Sequence, residues 1–254
     1  IGIENYCFNI LHKLLCKNMS NIRLFYLGSL SLNLNDRLNK LQSHYINKVM
    51  RVKIKESFSL FNENGEWEAK ITRISNGIVE FIITVQKRQK ENRREIWLAF
   101  SPIKSNYFNF MIQKATELGV TKFIPINCDR TIVRKINLER LKKIVVESCE
   151  QSNRLKLPII ENIVSFENFI NKNDKIQIIF GDINTSNTVI NTKNLSNLDP
   201  VCILIGPEGD FTEKEREKIL KMKKIQPLKI NENILRSETA AISTLSIVNY
   251  TLNL

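Results

Sequence analysis

Histidine and paired cysteines are scarce in this 254-residue sequence. Its two histidines, His12 and His44, lie far apart. Its five cysteines have no CxxC spacing: Cys7, Cys16, Cys128, Cys149 and Cys202. The histidine pattern argues against a Ser-His-Asp triad and a histidine-based metal site. The scattered, odd-numbered cysteines argue against a zinc site or disulfide scaffold and indicate a reducing compartment. We therefore expect a cytoplasmic protein without a bound metal.

Long apolar segments are also missing. No run of about 18 apolar residues occurs, so we expect neither a transmembrane helix nor a membrane partner. Residues 1–18 lack the long apolar core and the small-residue cleavage site of a secretory signal. Met19 offers an alternative start. We treat residues 1–18 as an N-terminal extension of unknown role.

Acidic residues are outnumbered. The chain has 38 Lys and Arg against 26 Asp and Glu, a net charge of +12, which favours an anionic partner such as a nucleic acid. Residues 19–90 carry 12 basic and 6 acidic side chains, whereas residues 91–254 carry 24 and 19. The first part is therefore the more basic per residue. We take Arg23, Arg51 and Lys53 as its candidate RNA contacts.

The pattern of apolar residues changes along the chain. Residues 19–90 contain short apolar runs separated by Asn64-Gly65 and Asn76-Gly77, which are hairpin signals and predict a small β-barrel. The charged residues 86–94 form the predicted linker. From Glu95 onwards, strands alternate with amphipathic helices, which predicts a largely parallel α/β sheet.

The stretch "VCILIGPEGDFTEKE", residues 201–215, joins an apolar strand to a charged helix. Ligands of parallel sheets bind at the carboxyl ends of the strands, and glycine lets the backbone approach a ligand closely. Thr212 and Glu215 have the spacing of a capping box. A second strand end and loop precede a helix that we expect to begin with Ser237 as its N-cap. Taken alone, the glycine-containing turn could equally be an ordinary connection.

Four segments together carry a family resemblance. "IGPEGDFTEKE" (205–215), "ILRSETAAI" (234–242), "QKATELGV" (113–120) with Pro125, and "EQSNR" (150–154) with Pro158 occur in this order. They resemble motifs of the bacterial ribosomal small-subunit methyltransferase E family, which belongs to the SPOUT class of knotted methyltransferases. The resemblance covers roughly residues 22–254.

The resemblance implies a two-domain enzyme. Residues 19–90 would form a PUA-like RNA-binding β-barrel, and residues 91–254 a SPOUT α/β methyltransferase domain. A deep trefoil knot would thread the segment after Ile230 through a loop that includes residues near 206–210. The family further implies S-adenosylmethionine as methyl donor and a homodimer. It also implies N3 of a uridine in 16S ribosomal RNA, within the 30S subunit, as the acceptor.

It also implies a set of site residues. Arg236 and Arg154 are the candidate catalytic cations, Glu238 is a candidate catalytic carboxylate, and Arg154 is in addition a candidate RNA contact. The candidate cofactor-binding residues are Gly181, Ile205, Gly206, Pro207, Glu208, Gly209, Ile230, Asn231, Ile234, Leu235 and Ser237.

Two positions depart from the family pattern. Asn231 follows Ile230 where the family usually has Leu-Gly, and Asp210 replaces the last glycine of GPEGG. We expect Asn231 to keep the shape of its loop because asparagine tolerates a left-handed backbone. Two alternative functions stay open at this point. One is another SPOUT activity, such as ribose 2′-O methylation. The other is a non-catalytic RNA-binding or assembly protein.

Overall fold

The computed structural model describes residues 22–192 and 200–253 and divides the chain into two compact units, Ile1–Glu91 and Asn92–Leu254. The N-terminal extension, residues 1–18, lies outside the described residues. In the described ranges, no helix has the length and apolar character needed to cross a membrane. The same ranges contain no group of three or more His, Cys, Asp or Glu side chains arranged to hold a metal ion.

The first unit is a five-stranded sheet in the order β1-β3-β4-β5-β2. β1 and β3 pair in parallel, and the other pairs are antiparallel. A short helix α1 and a π-helical turn, Tyr45–Val49, connect β2 to β3. The elements are β1 (Arg23–Phe25), β2 (Asn35–Arg37), α1 (Lys40–His44), β3 (Ser57–Asn62), β4 (Gly65–Ser75) and β5 (Ile78–Gln89).

Both predicted hairpins of this unit are confirmed. The strands flanking Asn76-Gly77 pair directly, and both residues have positive φ, 50° and 77°, as a type I′ turn requires. The predicted linker is partly wrong, because β5 runs through Gln89, and Gln86, Arg88 and Gln89 pair with β4. The polar character of this segment reflects its exposure at the end of β5, where Gln86, Lys87 and Gln89 are exposed and Arg88 is half-buried.

The second unit is built on a parallel sheet in the order β12-β10-β11-β6-β7-β8, with β9 also paired to β7. Val201–Ile205 is buried along its whole length because strands flank it on both sides and helices cover the sheet. The strands are β6 (Ile96–Phe100), β7 (Lys122–Asn127), β8 (Ile159–Ile160), β9 (Val164–Ser165), β10 (Gln177–Gly181), β11 (Val201–Ile205) and β12 (Ile225–Leu228).

In the described part of this unit, five helices accompany the sheet: α2 (Ser105–Glu117), α3 (Leu138–Gln151), α4 (Phe166–Asn173), α5 (Glu213–Leu220) and α6 (Ser237–Leu252). α2 packs against both α3 and α6. The buried residues of α6 recur at helical spacing: Ala241, Thr244, Leu245 and Val248. The predicted alternation of strands and helices is confirmed, although α4, with only eight residues, escaped sequence analysis. The sheet order brings the carboxyl ends of β12, β10 and β11 side by side.

Candidate cofactor-binding and active site

A pocket lies at the carboxyl ends of β10, β11 and β12. Two loops face it: the glycine loop (residues 206–210) after β11 and the arginine loop (residues 230–236) between β12 and α6. The cofactor candidates that line it are Gly181, Ile205, Gly206, Pro207, Glu208, Ile230, Asn231, Ile234, Leu235 and Ser237. Sequence reasoning missed several further lining residues, namely Asp182, Ile183, Asp210, Leu228, Lys229, Asn233 and Ala240.

Packing dictates the glycines at the pocket wall. A Cβ on Gly206 would lie 3.0 Å from two ring carbons of Phe211, a buried residue of the sheet core. A Cβ on Gly181 would lie 2.9 Å from Cδ1 of Ile205 and 3.3 Å from Cδ1 of Ile230. Because close packing leaves no room for these atoms, glycine at both positions keeps the pocket wall in place.

The end of the glycine loop differs from expectation. The Asp210 N–H donates to the Pro207 carbonyl (2.9 Å) and closes a turn, and Asp210 itself has a φ of +60°. Aspartate tolerates this left-handed conformation better than most residues, so it can stand where the family often has glycine. Gly209, a predicted cofactor contact, is exposed and is not among the lining residues. It lies next to Arg130 instead.

Arg130 anchors the outer side of the glycine loop. Its Nη1 donates to the Gly209 carbonyl at 2.7 Å. The preceding N–H, that of Asp129, donates to Glu215 Oε1 at 2.9 Å. Glu215 also forms the predicted capping box with Thr212 at the start of α5, which is confirmed. No sequence signal joins Arg130 to a carbonyl 79 residues away, so only the fold could identify this anchor.

Asp182 holds the third segment of the pocket. Its buried carboxylate accepts hydrogen bonds from Nε (3.2 Å) and Nη2 (2.9 Å) of Arg216 on α5. Hydrogen bonding to Asp182 raises the pKa of Arg216 above its ordinary value. This bidentate ion pair offsets the free-energy cost of burying the carboxylate. The segment after β10 is thereby fixed to the helix that follows the glycine loop.

The arginine loop has a different character. Asn231 has no positive φ, so the expected left-handed backbone at this position is wrong. Its Oδ1 instead accepts the N–H of Asn233 at 2.8 Å, a local turn that asparagine forms readily. Ile234 is 85% exposed although it lines the pocket.

Ser237 links the two loops. The prediction that it caps α6 is wrong: the N-cap residue is Arg236, and Ser237 is the first residue of the helix. Its Oγ donates to the Gly206 carbonyl at 3.1 Å, and its side chain is buried. Ser237 therefore joins the start of α6 to the glycine loop.

Arg236 lies between two lining residues, and its exposed guanidinium contacts an aromatic ring. Its Cζ lies 5.2 Å from the ring centroid of Tyr107 on α2. The pKa of Arg236 is raised above its ordinary value, first by hydrogen bonding to the Tyr107 side chain and then by the charges of Tyr107 and Glu238. Glu238 is 8% exposed in the first turn of α6 and is not a lining residue of the pocket. The structure thus brings Arg236 and Glu238 together beside the pocket.

Arg154 is not brought to the pocket. Its Nη1 donates to the carbonyls of Thr116 (2.6 Å) and Val120 (2.7 Å), at and just after the end of α2. Burial lowers the pKa of this guanidinium below its ordinary value. Arg154 thereby joins the last turn of α2 to the segment that follows it, and it supplements the Gly119 N–H as a donor to the Thr116 carbonyl. Its prediction as a catalytic and RNA-binding residue is replaced by a structural role.

The three candidate RNA contacts of the first unit differ in exposure. The Arg23 side chain is 2% exposed, donates from Nε to Glu66 (3.1 Å) and lies over the ring of Phe61. A buried, paired guanidinium cannot reach a phosphate, so the prediction for Arg23 is wrong. Arg51 and Lys53 are both exposed.

Known proteins resemble both units. A family model described as an RNA methyltransferase domain matches residues 90–249, and one described as an RNA methyltransferase PUA domain matches residues 38–84. The ribosomal RNA small subunit methyltransferase E of Rickettsia conorii is 34% identical over 208 residues, which cover 81% of this chain and 85% of the relative. The protein of the same name from Buchnera aphidicola is 31% identical over 238 residues, with 88% and 94% covered.

A solved structure resembles the chain equally widely. It is the crystal structure of a ribosomal RNA small subunit methyltransferase E from Neisseria gonorrhoeae bound to S-adenosyl methionine. The TM-score is 0.81 at 26% identity, and the match covers 90% of this chain and 97% of that one. The similarity therefore extends far beyond the four short motifs.

Proposed function

Because the chain belongs to the ribosomal RNA small subunit methyltransferase E family, it is an S-adenosylmethionine-dependent methyltransferase of small-subunit ribosomal RNA, and we propose that its acceptor is N3 of a uridine in 16S RNA. One observation carries the proposal for the site. The pocket at the carboxyl ends of three adjacent strands stands directly beside an exposed arginine, Arg236.

The pocket residues fit the proposed methyl donor. Two carboxylates with no ion-pair partner among the described residues, Glu208 and Asp210, line the pocket. The other charged lining residues that the structure describes are paired, Asp182 with Arg216 and Lys229 with Glu232 at 2.7 Å. Such an acidic lining favours a cationic ligand, and the donor carries a sulfonium and an ammonium group. Its adenine has apolar neighbours available in Ile205, Ile230, Ile234 and Leu235.

When bound, S-adenosylmethionine supplies an activated methyl group; the chain must supply alignment and a stabilised acceptor. Uridine N3 is a poor nucleophile until its imide proton passes to a base such as water, and the resulting negative charge spreads to the two carbonyl oxygens. We assign the stabilisation of that charge to Arg236, whose guanidinium offers forked donors and stays protonated. Its exposure beside the pocket leaves it accessible to an incoming base.

Glu238 acts on Arg236 in this proposal, not on the substrate. Its carboxylate is buried in the first turn of α6, where the helix dipole stabilises an anion. An anion there favours the charged guanidinium nearby, in agreement with the raised pKa of Arg236.

We assign RNA binding to the first unit, in which Arg51 and Lys53 replace Arg23 as the contacts. Both are exposed side chains within its basic surface. Replacing both with glutamate should weaken binding to the small subunit and flatten its dependence on salt, because fewer counterions are released. Filter binding at several salt concentrations measures this. Unchanged affinity would show that this surface has another partner.

The family resemblance supports four further features. We propose a homodimer, a deep trefoil knot in which the segment after Ile230 passes through a loop near residues 206–210, action on the assembled 30S subunit, and a cytoplasmic location. Analytical ultracentrifugation tests the first of these. A monomer at micromolar concentration would contradict it.

Mapping of the methylated nucleoside tests the acceptor. We expect purified 30S subunits from a deletion strain to gain 3-methyluridine in 16S RNA on incubation with this protein and the donor, and naked 16S RNA to gain less. A ribose 2′-O-methylated product would favour the other SPOUT activity. No product, combined with no heat of donor binding in calorimetry, would favour a non-catalytic RNA-binding or assembly protein.

A further inference from the structure

Tyr107 is the aromatic side chain that contacts the candidate catalytic arginine. It lies in the first turn of α2 and is 47% exposed. The Cζ atom of Arg236 lies 5.2 Å from the centroid of its ring. α2 and α6 pack against each other, which brings these two residues together from helix starts about 130 positions apart. No motif of the sequence includes Tyr107.

The guanidinium has few other restraints. Among the residues that the structure describes, no carboxylate lies within ion-pair distance of Arg236, and the partner that raises its pKa most is the Tyr107 side chain itself. Its long side chain can adopt many rotamers, and a reaction that uses it must select one. An aromatic face attracts a guanidinium and allows it to lie flat, which restricts those rotamers while the N–H donors remain available at its edge.

We propose that Tyr107 is a positioning residue, whose ring holds the Arg236 guanidinium in the orientation that meets the uracil carbonyls. The inference rests on the proposed function, in which Arg236 stabilises charge on the base. Tyr107 would not contact the donor, because it is not a lining residue of the pocket. Its loss should therefore change the rate of methyl transfer and leave donor affinity unchanged.

The same helix offers a matched control. Phe110 lies three positions further along α2, so it belongs to the same side of the helix, and it is 48% exposed. Its ring contacts Lys114, whose Nζ lies 5.9 Å from the ring centroid, instead of Arg236. Phe110→Ala therefore removes an aromatic side chain of similar exposure without removing a contact to Arg236.

The test is a double-mutant cycle read by single-turnover methylation of 30S subunits at saturating donor. We expect Tyr107→Ala to lower the rate about fivefold, Tyr107→Phe to stay within about twofold of the unmodified protein, and Phe110→Ala to have no effect. In the Arg236→Ala background, Tyr107→Ala should have no further effect. Donor affinity by calorimetry and sedimentation behaviour should match across all variants.

The outcomes separate this inference from the proposed function. If Arg236→Ala slows methylation but Tyr107→Ala slows it equally in both backgrounds, the positioning role is overturned and the role of Arg236 stands. An equal loss from Phe110→Ala would also overturn it, because the exposed face of α2 would then act independently of the arginine. If Arg236→Ala methylates at the full rate, the proposed role of Arg236 fails first, and the role of Tyr107 fails with it.

Discussion

The two loops that face the pocket are held in opposite ways. Two hydrogen bonds hold the glycine loop, one from Arg130 to the Gly209 carbonyl and one from Ser237 to the Gly206 carbonyl. The capping box of α5 follows the loop directly. Residues 231–234 of the arginine loop are all exposed, and the hydrogen bonds of their side chains are local, within three residues.

This contrast indicates that the two loops have different roles. A loop with a fixed backbone presents preorganised groups to a ligand, which lowers the entropic cost of binding. A loop with few restraints can adjust as donor and RNA cover its apolar residues, such as the exposed Ile234. We therefore expect the glycine loop to determine donor affinity and the arginine loop, through Arg236, to determine the rate of methyl transfer.

The largest effect should come from crowding the glycine loop. Gly206→Ala places a Cβ 3.0 Å from the buried ring of Phe211, and overpacking of this kind costs about 1–3 kcal/mol. We expect the donor Kd to rise about tenfold to a hundredfold by calorimetry. Gly209→Ala is the control, because its Cβ would meet only Arg130 at an ordinary 3.5 Å. Equal affinity of both variants would show that the loop tolerates bulk on its inner side.

Arg236→Lys should have the next largest effect. Lysine keeps the charge but loses the planar fork, so it should stabilise the uracil anion less well. We expect single-turnover methylation to slow about tenfold, about 1.4 kcal/mol in activation free energy, with an unchanged donor Kd. If Arg236→Lys methylates at the full rate, the forked donors of arginine are not required for the reaction. A lysine variant that no longer binds subunits would make Arg236 an RNA anchor.

Releasing the outer anchor of the glycine loop should have a smaller effect. Arg130→Ala removes the 2.7 Å hydrogen bond to the Gly209 carbonyl, and such bonds contribute about 0.5–1.5 kcal/mol. We expect the donor Kd to rise about twofold to tenfold and the rate at saturating donor to stay constant. Arg134→Ala serves as the control, because Arg134 is an exposed arginine four positions away and has no hydrogen bond to the glycine loop within the described ranges. A slower rate at saturating donor would contradict the division between the loops.

The smallest effect should come from the departure at Asn231. Its backbone is not left-handed, so Asn231→Gly relieves no strain, and it removes only the acceptor for the Asn233 N–H. We expect the donor Kd to change less than about threefold, which isothermal titration can resolve. A large gain in affinity would show that the asparagine distorts the arginine loop.

Local patterns in the sequence predicted much of this molecule. The apolar run of β11, the capping box of Thr212 and Glu215 and the turn at Asn76-Gly77 are short-range features, and the structure confirms them. Most cofactor candidates line the pocket for the same reason, since they lie at strand ends that a parallel sheet brings together.

Long-range contacts could not be predicted. Arg154 and Arg23 each resemble a free basic residue in the sequence, but partners far along the chain hold them. Arg154 donates to carbonyls at the end of α2, and Arg23 is buried against Glu66. Tyr107 and Arg130 contact the site through packing between elements separated by 79 positions or more. Serine is a common N-cap residue, but the hydroxyl of Ser237 donates to the Gly206 carbonyl of the glycine loop instead of capping α6.

The different roles of the two loops are tested most directly by measuring donor Kd and single-turnover rate in the same preparations of Arg130→Ala and Arg236→Lys. We expect each variant to change a different quantity: Arg130→Ala weakens donor binding and methylates at the full rate when the donor saturates, whereas Arg236→Lys binds the donor normally and methylates about tenfold more slowly. If both variants change the same quantity, the two loops act as one unit, and the separation of donor binding from acceptor activation is contradicted.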